Sequence, residues 1–400
     1  MTERRSRRTV LRSLGAAAAA GLAGCTGGSG GDEDASDGSG GTATATATPT
    51  GTATATATGT PTASEAVEVT DMVGRTVTVE GSVDRIVGLG SGALRMLTYV
   101  GATDRVVGVE QLETRNEKRP YRPYVHANPG LSELPSVGSR KSPDLERLLS
   151  VEPDVVVYGY LTEGKANDLQ SKLGVPVVVV RPGDMNEALR PDFFRTLELL
   201  GTVLGGDARD RAETLTAATR DAIADVRERA PGVEDPPTAY VGFVGRGNHG
   251  LTRTQPGYPP FEWTGAENVV QGLPTSKLKQ KKGAARADVD PEQVVEWDPE
   301  NLFVDLGTES YDSLSNPEFA SIDAIETGDV YGVLPVRDYS INFATGLANA
   351  YYVGSVCFPD AYADVDPAAR ADELYGTFVG EPVYEAVTES YGDGFGKMEV

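Results

Sequence analysis

Two stretches constrain the fold more than any others: "SPDLERLLSVEPDVVVYGY" over residues 142–160 and "ANDLQSKLGVPVVVVRPG" over 166–183. Each begins with apolar residues at helical spacing and ends in an unbroken run of valines. A strand with one solvated face alternates apolar and polar residues, whereas an unbroken run is expected of a strand covered by helices on both faces. Helix–strand units of this length, repeated, predict a lobe built on a parallel sheet. Upstream, "VEVTDMVGRTVTVEGSVDRIVGLG" (67–90) reads as short alternating strands followed by a buried strand at Arg85–Leu89 that ends in a Gly-Ser-Gly loop. A helix, "ALRMLTYVG", and a strand, "RVVGVE", come next.

The middle of the chain changes character. From Asn186 to Ala230 the pattern is helical throughout, in two segments: "RPDFFRTLELLGTVLGG", then a longer one opened by Asp207 after a Gly-Gly break. A helix of about 24 residues is roughly 36 Å long at 1.5 Å per residue, enough to span two lobes. "PGVEDPP" closes it, and strands resume at "TAYVGFV", "NLFVDLG" and "DVYGVLP", interleaved with helical patterns that continue to Val387. The expected fold class is α/β: two Rossmann-like lobes joined by one long helix, with a ligand cleft between them. The divisions are 66–185 for the first lobe, 186–232 for the helical segment and 233–400 for the second lobe.

The first 65 residues belong to neither lobe. The apolar run Leu14–Gly24 is about half of the roughly 20 residues that a membrane-spanning helix needs. It suits the core of a cleaved leader instead. Arg7-Arg8 followed by T-V-L-R resembles the twin-arginine export signal, and "LAGC" resembles a lipobox in which Cys25 receives lipid. Residues 1–25 are therefore read as a twin-arginine lipoprotein signal. Residues 26–65 hold no aromatic or large aliphatic side chain and cannot bury enough surface to offset the entropy of ordering, so they read as a flexible leash. A chain of about 40 such residues has an r.m.s. span of roughly 35 Å. These features place the body outside the cell, held at the membrane through the anchor.

Charge narrows the partners. Asp and Glu number 59 against 36 Lys and Arg, a formal net charge of −23 that argues against nucleic-acid binding. Only nine of the cations are lysines, a composition that resembles proteins of salt-loving, haloarchaeal organisms, with an ordinary acidic domain as the blander alternative. Of two cysteines, Cys25 is assigned to lipid, which leaves Cys357 without a partner, in an apolar helical stretch where it reads as a small buried hydrophobe.

Residues 66–390 resemble the substrate-binding proteins of ABC importers, in the class that serves ferric siderophores, haem and cobalamin. "VTDMVGRTVTVEGSVDRIVGLG" is similar to the common start of that class, and "SPDLERLLSVEPDVVVYG" and "VDPEQVVEWDPENLFVD" are similar to its paired helix–strand elements, one per lobe. The resemblance implies that Glu146 and Glu292 dock on permease arginines, that the partners are an ABC permease and its ATPase, and that the receptor works as a monomer. A first-turn acid that favours the helix dipole is the plainer account of each glutamate.

Only His126 and His249 are present, too few for a bare-metal cage, so a chelated metal is expected, with no resident cofactor. Such chelates are often anionic and flat-faced, and arginine forks and aromatic faces suit them. Ligands collect in loops that follow strands. On that rule the candidates in the first lobe are Ser91, Arg95, Arg115, Arg122, Tyr124, Tyr158 and Tyr160. In the second lobe they are Arg246, His249, Tyr258, Trp263, Arg337 and Tyr339, with Arg246, His249, Arg337 and Tyr339 ranked first. His249 is either a hydrogen-bonding loop residue or a direct ligand of haem iron or cobalt. "KLKQKK" (Lys277 to Lys282) either attracts an anionic chelate or is a solvated loop. Ferric siderophore is the first expectation, corrinoid or haem the alternative within the class. A secreted lipoprotein enzyme is the alternative outside it, although the chain carries no G-x-S-x-G, P-loop or H-E-x-x-H.

Overall fold

The structure is a computed structural model that describes residues 66–114, 122–245, 247, 249–274, 278–279 and 286–399. The expectations for Arg7, Arg8, Cys25, the 26–65 leash, Arg115, Arg246 and the lysine side chains of 277–282 lie outside the described residues.

The chain begins with a hairpin, β1 (Val67–Thr70) and β2 (Thr76–Val79), whose alternating burial reflects one packed face. Its turn is held by Asp71 and Arg75, paired at 2.8 Å, and Met72 N–H donates to Val179 of the last strand of the first sheet. The valine runs then form that sheet. It comprises β3 (Ile86–Gly90), α1 (Ala93–Tyr99), β4 (Val106–Val109), α2 (Pro123–Ala127), a two-residue ribbon of β5 (Gly138–Ser139) and β6 (Ser142–Pro143), α3 (Leu145–Ser150), β7 (Val155–Gly159), α4 (Glu163–Leu173) and β8 (Val177–Val180). The strand order is β4-β3-β7-β8, all parallel. The unbroken runs divide by parity: Val155, Val157, Val178 and Val180 enter one core, while Val156, Tyr158, Val177 and Val179 enter the core on the opposite face. Apolar residues at every position are what two covered faces require.

Two helices follow, α5 (Arg190–Leu204) and α6 (Gly206–Arg229), the latter of 24 residues. Gly205 and Gly206 both have positive φ, 61° and 47°, which lets the chain reverse between them. The helices pack closely at Gly201, where an added Cβ would lie 3.0 Å from the Arg209 Cα. Ala208, Ala212, Leu215, Thr219, Ala222 and Val226 form the buried stripe of α6.

The second lobe contains β9 (Thr238–Gly242), β10 (Arg253–Thr254), α7 (Pro259–Thr264), β11 (Glu267–Asn268), β12 (Leu278–Lys279), β13 (Arg286–Asp288), α8 (Pro291–Trp297), β14 (Asn301–Asp305), α9 (Asp323–Thr327), β15 (Val330–Val333), a hairpin of β16 (Arg337–Asp338) and β17 (Ser340–Ile341), α10 (Phe343–Cys357), α11 (Pro367–Val379), α12 (Tyr384–Tyr391) and β18 (Gly396–Lys397). Its main sheet runs β11-β9-β14-β15-β18, parallel except for β18, which pairs antiparallel to β15 at the edge. That last strand and the small β10-β13-β12 sheet are too short to show a period in sequence. Helix α10 is buried nearly all round, and Cys357 at its end is buried and unbridged, its thiol pushed up to about 12 by burial.

The architecture is thus two α/β lobes joined through the α5–α6 helical region. One apolar core is continuous across the junction: Val180 of the first sheet, Leu215 and Val226 of α6, and Val241 and Phe303 of the second sheet belong to the same cluster.

Candidate ligand-binding cleft

A cavity of about 1590 Å³ opens between the lobes, beyond the carboxyl ends of β7 and β8. The first lobe lines it with Ser91, Arg140, Tyr160, Arg181 and Asp184, and the second with Arg286, Arg337, Tyr339, Ser340 and Ile341. The ends of parallel strands are where open α/β folds collect ligands, because the loops there diverge and leave a crevice.

The β16–β17 hairpin crosses from the second lobe to the first and forms one wall. Arg95, buried in α1, donates to the carbonyls of Asp338 (2.8 Å) and Ile341 (2.9 Å). Ser91 Oγ donates to the Tyr339 carbonyl, the Tyr339 hydroxyl donates to Glu110, and Arg337 pairs with Asp184. The hairpin comes so close that a Cβ on Gly92, whose φ is +80°, would sit 2.7 Å from Ser340 Oγ, so this position needs glycine. Tyr339 at the turn and Tyr160 after β7 also hold positive φ, 62° and 60°, conformations that cost free energy in side chains of this size.

Four of the sequence candidates therefore meet in the cavity: Ser91, Tyr160, Arg337 and Tyr339. Several do not. Arg95 is spent on the hairpin carbonyls. Tyr124 is buried, sharing the Glu113 carboxylate with Arg122 (2.8 and 2.9 Å), and Arg122 also faces Asp338 at 4.0 Å. Tyr158 lies under the cleft with its hydroxyl on the Arg140 carbonyl. Tyr258 and Trp263 are core residues of α7 and its cap, Tyr258 accepting from Asn349 at 3.2 Å. His249 sits beside Gly247 and Thr308 and does not line this cavity, and His126 contacts Ser390 at 3.0 Å. An aromatic at a strand exit is as readily folded inward as outward, and sequence order does not distinguish the two.

Arg140, Arg181, Asp184 and Arg286 were missed. Arg181 and Asp184 directly follow β8 in "VVVVRPGD", so the strand-exit rule reaches them if applied to every strand. Arg140 rides on the β5–β6 ribbon and Arg286 begins β13, neither of which leaves a periodic signal.

Arg140, Arg181, Arg286 and Arg337 line the cavity beside Glu163, Asp184 and Asp192. Among the described residues neither Arg140 nor Arg286 is in an ion pair, whereas Arg337 is held by Asp184. Burial, and then the neighbouring Arg337, lower the pKa of Arg286 from its ordinary value, a sign that its charge is incompletely compensated. The phenols of Tyr160 and Tyr339 are held above their usual range, by burial first and then by Asp184 and Glu110 respectively, so at neutral pH they are protonated donors. Among the described residues no group of three or more His, Cys, Asp or Glu is arranged to hold a metal ion.

Residues 86–335 match the sequence model of a periplasmic binding protein family. The chain belongs to that family. This periplasmic binding protein is 25% identical over 342 residues to the molybdate-binding protein MolA of Haemophilus influenzae, a match covering 78% of this chain and 90% of the relative. Its fold is similar to a periplasmic solute-binding protein from Veillonella parvula (TM-score 0.64, 19% identity, 82% and 96% of the two chains). It is also similar to MolA bound to molybdate (0.60, 20%, 79% and 98%) and to Helicobacter pylori CeuE with Ni(II) bound (0.55, 22%, 78% and 96%). The periplasmic binding protein serves an ABC importer by capturing a small ligand outside the cytoplasm. Its role is binding, not catalysis.

Proposed function

We propose that this receptor captures a bulky anionic metal chelate, a ferric siderophore in the first instance, and hands it to its permease. The observation that carries the reading is guanidinia from both lobes, Arg140 and Arg181 of the first and Arg286 of the second, in no ion pair among the described residues and lining a single cavity of about 1590 Å³. A chelate brings its own coordination sphere, so the protein needs shape and positive charge rather than metal ligands. Guanidinium edges meet carboxylate, catecholate or phosphate oxygens in a fork geometry. Corrinoid and haem are the alternatives of the same class. The likeness to a molybdate-binding protein supports a second reading, an oxyanion. A four-oxygen anion occupies only a small part of so large a space, which is why the chelate is preferred.

The test is a titration of the protein with ferric citrate, a ferric tris-catecholate, haem, cobalamin and molybdate, followed by intrinsic fluorescence and melting temperature. Saturation at a hundred times Kd raises stability by about 2.7 kcal/mol. A shift with a ferric chelate, weakened in Arg286→Gln, is the expected result. A shift with molybdate alone moves the assignment to oxyanion uptake.

Export through Arg7 and Arg8 and lipid anchoring through Cys25 complete the proposal. Cys25→Ser is expected to release the protein from membranes into the medium, as read by fractionation.

A further inference from the structure

Arg140 is held by both lobes. Its backbone N–H donates to Glu110 Oε1 at 3.1 Å, and its carbonyl accepts the Tyr158 hydroxyl. Its guanidinium lies over the ring of Tyr339, 5.4 Å from the centroid. Tyr339 belongs to the second lobe, and its hydroxyl donates to the other oxygen of the same buried Glu110, which also takes the Gly90 N–H at 3.1 Å. One carboxylate of the first lobe thus anchors both the backbone of Arg140 and the ring on which that side chain rests. A guanidinium held over an aromatic ring has its freedom already restricted before an anion arrives, and the N–H groups it does not give to the ring stay available to that anion.

From this we infer that Tyr339 is a positioning residue for ligand affinity: the ring supplied by the second lobe presents the Arg140 guanidinium of the first lobe to the anion, so that the seating of the hairpin sets how tightly the cleft binds. The inference rests on the anion-binding reading above and adds to it the origin of the affinity. With the Tyr339 ring in place beneath it, Arg140 is aimed into the cavity. When the hairpin lifts, Arg140 becomes a solvated surface arginine, and its share of the anion grip is lost. The lobes are coupled to the ligand through this arginine–tyrosine pair as well as through contacts made by the ligand to both lobes.

The experiment uses the full chain with ferric citrate, a ferric tris-catecholate and molybdate as probes, continuing with the one bound most tightly by the unaltered protein. Four variants are compared: Arg140→Gln, Tyr339→Leu, Tyr339→Phe and the double Arg140→Gln/Tyr339→Leu. Loss of a charge-assisted contact is expected to weaken binding about tenfold or more in Arg140→Gln. Tyr339→Leu is expected to raise Kd about threefold or more. Tyr339→Phe, which keeps the ring and loses only the hydroxyl, is expected to stay within about twofold of the unaltered protein while its melting temperature falls. In the Arg140→Gln background Tyr339→Leu is expected to change Kd no further, because the residue acts through Arg140. Additive losses in the double variant, or equal losses in Tyr339→Phe and Tyr339→Leu, overturn the inference and leave the anion site intact. Full affinity in Arg140→Gln, or no probe bound by the unaltered protein, overturns the anion-binding reading and the inference together.

Discussion

At the residue scale the second lobe carries one buried acid with a measurable signature. Asp305 ends β14 and accepts the N–H groups of Gly307 (2.9 Å) and Gly245 (3.4 Å). Burial nevertheless pushes its carboxyl up to about 6 from an ordinary 3.8, the two N–H groups and nearby Arg286 only partly opposing it. A carboxyl whose folded pKa lies above its unfolded value binds more protons in the folded state, so its contribution falls as pH rises from about 4 to about 6. Two units correspond to roughly 3 kcal/mol. Asp305→Asn is expected to remove that slope, seen as the difference between the two stability-versus-pH curves over this window. The same scale explains which site residues were readable. Arg337 and Tyr339 follow β15 in "LPVRDYS" and reach the cavity as the strand-exit rule expects. Tyr158 has the rule's form too, but as the fourth residue of β7 its side chain falls on the face shared with Val156 and Val177 and is carried inward.

At the element scale α6 is the piece both lobes share. Its stripe of alanines, Leu215 and Val226 packs in the core that also holds Val180 and Phe303, so unfolding one lobe exposes surface of the other. Leu215→Ala is expected to cost about 2–5 kcal/mol, the range for deleting a fully buried leucine side chain. It should do so in a single transition, with far-UV circular dichroism and tryptophan fluorescence coinciding in urea. Two separated transitions are the outcome against a shared core. The helices were legible because their apolar spacing repeats over several turns, and the Gly-Gly break between them has one conformational use. The two-residue strands β10, β12, β16 and β17 were not. Too short to repeat a pattern, β10 and β12 exist because β13 supplies their partner, and the β16–β17 hairpin is held in place by Ser91 and Arg95 of the first lobe.

At the scale of the whole molecule the proposed permease contacts are two exposed glutamates, one in each lobe. Glu146 is in the first turn of α3 and Glu292 in the first turn of α8, each helix leading into a parallel strand of its lobe, β7 or β14. In such a unit the helix runs against its strand, so both first turns lie toward the carboxyl ends of the sheets, on the side where the cleft opens. Reversal of both to Lys is expected to abolish ligand uptake by cells while leaving the Kd of the purified protein unchanged. Uptake that persists shows the docking assignment to be mistaken. The sequence by itself determined the α/β class, the two-lobe order and the long connecting helix, because unbroken valine runs and repeated apolar spacing report burial that every residue of an element shares. Only the tertiary structure decided which arginines face the cavity. Arg95 and Arg140 look alike in sequence, but one is consumed by the carbonyls of a hairpin 243 to 246 residues away and the other is left resting on a ring from that same hairpin. That distinction depends on what the far lobe brings to each side chain, and no local pattern encodes it.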